Sequence, residues 1–180
     1  MDRRQRFRAL RSVEAAAIAG LAHSGLSLAA TALLLDAPDP ADGDAELAAY
    51  LNDSSNQARA VTAVNLLAIS TIAFLWFVAV IRRRVGEREN RFFGTVFFGS
   101  ALLLSGSWLV AGVLFATPAI ATQRFDIAPD AGSVAVLQSA GLTMASMVAT
   151  RLEAVFIIST TTVGRLSGAF PRWLIVAGYV

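Results

Sequence analysis

Of the 180 residues, 56% are hydrophobic and 16% charged, far more apolar material than a single soluble core of this size needs to bury. The formal net charge is only +2, and the arginines stand at the ends of apolar runs instead of within a basic stretch that could track phosphates, which argues against nucleic acid as a partner. With no cysteine present, disulfides, thiolate metal sites and thiol nucleophiles are excluded. Apart from one histidine, every basic side chain is arginine, a usage typical of high-GC bacterial coding.

A hydrocarbon core about 30 Å thick takes about 20 helical residues at a rise of ~1.5 Å each. Runs of that length predict an all-α fold, a polytopic transmembrane helix bundle with four complete spans and a partial fifth in a single membrane domain, residues 1–180. Residues 1–12 form a basic tail and 13–35 the first span. A cleaved signal peptide is the competing reading of that run, but its apolar stretch is too long, contains His23 and lacks a small-x-small cleavage site, so a retained span is expected. An acidic loop, 36–59, follows. Its prolines and Gly43 disfavour regular structure at first, but Leu47, Tyr50 and Leu51 at i, i+3 and i+4 predict a short amphipathic helix, 44–52, lying on the membrane surface. The carboxylates do not make a calcium loop: counted from Asp42, the position that requires glycine holds Leu47.

The second span is read over 60–81, a short loop over 82–91, the third span over 92–117 and a second outer loop over 118–133. The fourth span, with an outer extension, covers 134–164, and a loop, 165–172, leads to a partial fifth span, 173–180. That last run is too short to cross, so the chain is expected to be C-terminally short. Arginines crowd the tail, the 82–91 loop and the 165–172 loop, whereas carboxylates dominate 36–53. This asymmetry predicts a cytoplasmic N-terminus and a multi-pass protein of the bacterial cytoplasmic membrane. Phe74, Trp76 and Phe77 before the arginine triplet read as an aromatic belt.

Strongly polar residues inside spans cost roughly 2.5–3.5 kcal/mol each on insertion scales unless paired or hydrated, so they mark candidate sites. His23 lies near the middle of the first span, Asn65 in the outer third of the second, and Arg151 and Glu153 in the fourth. Counting about 20 residues back from Gly164 puts Arg151 roughly 9 Å and Glu153 roughly 12 Å below the outer boundary. The two are about 200° apart on a helix and must look to different neighbours. Matching depths predict an Arg151 to Asn65 hydrogen bond and a Glu153 to His23 contact. Ala16, Gly20 and Ser24 in the first span and Ala101 with Ser105 in the third predict close packing seams, and Ser159 to Thr162 predict hydroxyls bonded back to their own helix. Ser24 and His23 adjoin in sequence and so point about 100° apart, which rules them out as nucleophile and base. A lone histidine provides neither a metal cluster nor paired haem ligation, so no catalytic residue, metal or cofactor is expected.

Tyr50-Leu51, Phe74-Leu-Trp-Phe77 with the following arginines, Arg151-Leu-Glu-Ala-Val-Phe156 leading into Ser159-Thr160-Thr161, and Pro171-Arg-Trp-Leu174 with Gly178-Tyr179 carry a resemblance. On these the chain resembles, over most of its length, a family of uncharacterised multi-pass membrane proteins of high-GC Gram-positive, actinobacterial bacteria. The resemblance implies a recurring arginine at Arg151 and a lead-in to a further span at Pro171-Arg-Trp, and no assigned activity. The expected role is a structural or interaction component of the membrane, partnered by the lipid bilayer and by its own copies or another membrane protein. A small transporter or channel with a polar path near Glu153 and His23 is the alternative, and an intramembrane enzyme the third reading.

Overall fold

A computed structural model describes residues 3–39, 43–85 and 91–180. Their order is α1 (Arg3–Leu34), α2 (Asp44–Asn52), α3 (Ser54–Val85), α4 (Arg91–Phe125), α5 (Ala131–Thr143), a π segment (Met144–Ala149), α6 (Thr150–Ser167) and α7 (Arg172–Ala177). No strand occurs among the described residues. The all-α fold expected from hydropathy is the observed one, and four helical stretches are long and apolar enough to cross a membrane: Glu14–Leu34, Ser54–Arg83, Phe92–Phe125 and Ala131–Ser167. Residues 86–90 of the expected 82–91 loop and 40–42 of the acidic loop lie outside the described residues, as do the side chains of the N-terminal arginines.

The helices overrun the hydropathy boundaries. At 32 residues α3 is about 48 Å long, well beyond a ~30 Å hydrocarbon core, because hydropathy marks the thickness of lipid and not the end of the hydrogen-bond ladder. The tail read as 1–12 is helical from Arg3. The last quarter of the acidic loop belongs to α3, whose start is capped by Asp53 accepting from the Ser55 N–H at 2.7 Å. α4 runs through Pro118 to Phe125, leaving only Asp126 to Asp130 as a connection before α5.

Neighbours in sequence are neighbours in space: α1 packs on α3, α3 on α4, and α4 on α6. α1 touches α4 only lightly, as α3 does α6, and α1 and α6 do not pack against each other, so the four long helices form an arc open on one side. Alanines at the contacts permit the close approach: Ala30, Ala63, Ala101 and Ala149 are wholly buried. Ala101 and Ser105 line the seam expected of the third span. The first-span seam is shifted, however. Gly20 does meet the Phe77 ring, where a Cβ would sit 3.4 Å away, but Ser24 is exposed and donates to the Gly20 carbonyl. The face of α1 turned to α3 carries Ala19, His23, Ser27 and Ala30.

A larger core joins Phe74, Val78, Phe97, Leu104 and Val163. Phe74 is therefore packing and not aromatic belt, whereas Trp76 is 70% exposed. Arg82 lies over the Phe98 ring at 4.9 Å, tying α3 to α4 at that end.

The amphipathic helix is present as α2, and its apolar side chains turn into the bundle. Leu47 and Leu51 are buried with Ala60, Ala116, Ala119 and Val134, so α2 covers the end of the bundle. Its apolar stripe is narrow, and the side-chain amide of Gln57, donating to the Leu51 carbonyl at 2.7 Å, fastens it to α3. Near this end an Arg59–Asp36 ion pair of 2.9 Å joins α3 to the segment after α1.

The 173–180 run appears as α7, folded back on α6. Gly168 adopts the left-handed conformation at φ 68°, and the Ala169 N–H donates to the Gly164 carbonyl, ending α6. Tyr179 OH then lies 2.8 Å from Thr162 Oγ1, and Gly178 sits so close to Thr161 that a Cβ would be 2.0 Å from its hydroxyl oxygen.

Candidate functional site

His23 and Ser27 are one turn apart on α1 and face Ser70 of α3. Ser70 Oγ lies 2.7 Å from His23 Nδ1, 2.6 Å from Ser27 Oγ and 3.0 Å from the His23 carbonyl oxygen. The carbonyl can only accept, so the Ser70 hydroxyl donates to it. Ser70 Oγ then accepts from both the His23 Nδ1–H and the Ser27 hydroxyl, which fills its capacity. The Ser70 carbonyl, 3.2 Å from Nδ1, reinforces the same tautomer. His23 Nε2 is left as an acceptor with no hydrogen-bond partner among the described residues.

This cluster forms one wall of a cavity of about 280 Å³ among α1, α3, α4 and α6 that opens to one side. Trp108 of α4 and Phe156 and Glu153 of α6 stand on the other walls, with Thr31, Thr71 and Ser105 also in the lining. Aromatic rings run through its floor: His23 to Phe74 at 4.8 Å, Phe74 to Phe156 edge-on at 5.3 Å, and Phe156 stacked on Phe97 at 5.5 Å. Glu153 is the one charged residue in the lining. It is exposed along the open side of the arc, with no hydrogen bond or ion pair among the described residues.

Two of the four candidate residues, His23 and Glu153, thus meet in one cavity, but the expected contact is not a bond, because His23 directs Nδ1 at Ser70 instead. The expected Arg151 to Asn65 bond is replaced by local ones. The Asn65 amide donates to the Val61 carbonyl at 2.8 Å, and the Arg151 guanidinium donates to the Met147 carbonyl, each on its own helix. Both side chains are exposed, so a carbonyl one turn back is the nearer acceptor. The π segment immediately before α6 has the same consequence for Thr150, whose hydroxyl donates to the Ala145 carbonyl five residues back. The hydroxyls of Thr160 and Thr162 bond to i−4 carbonyls and that of Ser159 to i−3, as their composition predicted.

Sequence reasoning missed Ser27, Ser70 and Trp108. The i, i+4 spacing of His23 and Ser27 was a usable signal, whereas nothing local could have pointed to a serine 47 residues away. Chemically, the Ser70 hydroxyl hydrogen is engaged by a carbonyl and so is not activated by the imidazole. Comparison with models of protein families, with curated proteins and with solved structures finds no match for this chain.

Proposed function

We propose that this chain is an integral protein of a bacterial cytoplasmic membrane, its N-terminus inside, acting as a structural or interaction component. The single observation that carries the reading is the His23–Ser27–Ser70 cluster: polar groups placed at span depth satisfy one another and lock α1 to α3, leaving an apolar exterior suited to lipid or to another helix. Large apolar side chains are exposed along that exterior, including Ile18 and Leu21 on α1, Ile69 and Ile72 on α3, and Ile158 on α6. The clustering of arginine at one set of helix ends supports the orientation, and the resemblance to multi-pass proteins of high-GC Gram-positive bacteria supports the location.

The absence of native cysteine makes the test direct. Single cysteines at Asp44, Asp130 and Gly168 in intact cells should label with a membrane-impermeant maleimide at the first two positions only; labelling at Gly168 alone would reverse the orientation. Crosslinking in native membranes should yield a defined homo-oligomer or heteromer, and a chain that stays monomeric and partnerless would defeat the interaction reading. A transport role is favoured by a different observation, the unpaired Glu153 facing the cavity. Solute or proton flux in liposomes that Glu153→Gln abolishes would establish it.

A further inference from the structure

We propose that the cavity among α1, α3, α4 and α6 is a binding site for a hydrophobic organic cation, with Glu153 as its counter-charge. The inference goes beyond the structural reading and stands on the cavity's own chemistry. An unpaired carboxylate at span depth calls for a positive charge beside it, and among the described residues no cation is placed to supply one. Arg151, two residues away, is engaged by the Met147 carbonyl and lies about 200° around the helix from Glu153.

The remaining walls select the same class. Phe74, Trp108 and Phe156 present aromatic surface, the favoured lining for a quaternary or aryl-substituted cation. The hydroxyl hydrogens of Ser27, Ser70 and Ser105 are already committed to other acceptors, and no arginine stands in the lining to hold an anion. His23 Nε2, an acceptor without a partner, adds to the preference for a cation over an anion. At about 280 Å³ the space is at the small end of ligand pockets, enough for a charged centre and part of its apolar substituents. The rest can remain in the slot where α1 and α6 fail to pack, which also makes the bilayer the route of entry.

Tetraphenylphosphonium and tetraphenylborate have the same shape and opposite charge, so the pair separates charge recognition from greasy partitioning. The full chain in lipid nanodiscs, with empty discs as the blank, should bind the phosphonium saturably at one per chain and show no saturable component for the borate. Glu153→Gln should weaken phosphonium binding at least tenfold. Ile157→Trp, which fills the cavity and keeps the carboxylate, should also abolish it, and it serves as the independent check if the first variant melts early. Equal binding of the borate, undiminished binding by both variants, or no saturable binding by the parent would each overturn the proposal. So would a dimer that Glu153→Gln dissolves, accompanied by no phosphonium binding, because the counter-charge would then come from a second copy.

Discussion

Ser70 is held by two different groups of one residue: its Oγ lies 2.7 Å from the His23 ring nitrogen and 3.0 Å from the His23 carbonyl oxygen. The arrangement fixes both the tautomer of the imidazole and the depth of α3 relative to α1. Ser70→Ala should therefore destabilise the folded protein by about 1–2 kcal/mol, leaving Nδ1 and Ser27 without their shared oxygen. Combined with His23→Ala, the losses should fall short of additivity by about 0.6 kcal/mol or more in detergent melting. Strictly additive losses would show that the two residues do not act as a pair.

The docking of α2 on the bundle makes a prediction opposite to that of a surface-lying helix. Leu47→Ala and Leu51→Ala each remove a side chain buried against α3, α4 and α5, and each should cost about 2–4 kcal/mol of bundle stability. Were α2 resting on lipid, the same changes would alter membrane affinity and leave the melting of the bundle untouched.

Two glycines provide a contrast in packing. A Cβ on Gly141 would come 2.6 Å from the Phe115 ring and 3.0 Å from the Ala111 carbonyl oxygen, so α4 and α5 would have to move apart. Gly141→Ala should destabilise by about 1–3 kcal/mol. Gly25 has nothing within 4 Å of a Cβ, and Gly25→Ala in mid-helix should stabilise by about 0.5–1 kcal/mol. Thermal melting of the two variants side by side checks both signs.

Asp130 caps α5, accepting from the Ser133 N–H at 2.9 Å and from the Ser133 hydroxyl at 2.8 Å. These bonds to Ser133 hold its carboxyl below the usual carboxylate value. The cap is thus fully effective above about pH 4, where the unfolded side chain is also ionised, and is lost as pH falls through the depressed folded value. Acidification should fray the start of α5, seen as faster amide exchange at Ser133, and Asp130→Ala should show that fast exchange at every pH. Protection of Ser133 that is equal in parent and variant at neutral pH would remove the cap from the account.

The Arg59–Asp36 pair is short, but both side chains are about half exposed, so solvent screens it. Arg59→Ala should cost less than about 1 kcal/mol, and the loss should shrink as salt is added. A larger, salt-insensitive loss would mean that Arg59 stabilises through packing of its stem.

How much could be read locally depended on whether a signal repeats within one helix. Four apolar runs, the amphipathic pattern of Leu47, Tyr50 and Leu51, and hydroxyls bonded to their own carbonyls at Ser159, Thr160 and Thr162 all follow from spacing along a single segment. The helices run beyond the apolar spans at both ends of α3 and at the C-terminal end of α4, since apolar length measures hydrocarbon thickness while Asp53 and the backbone ladder decide where the helix starts and stops.

Tertiary structure alone decided the partners. His23 and Glu153, matched by depth, line one cavity without bonding to each other, because depth is set by residue count along each helix. Depth matching failed for Arg151 and Asn65, because depth says nothing about rotation around the axis, and both side chains turn outward to a carbonyl one turn back. Rotation also put Ser70 opposite His23, Phe74 in the core and Trp76 outside. The sequence by itself determined an all-helical chain with four helices able to cross a membrane, since that needs only apolar length. The open arc, the Ser70 lock and the unpaired Glu153 in an aromatic cavity depend on which faces meet, and those are decided only when the helices pack together.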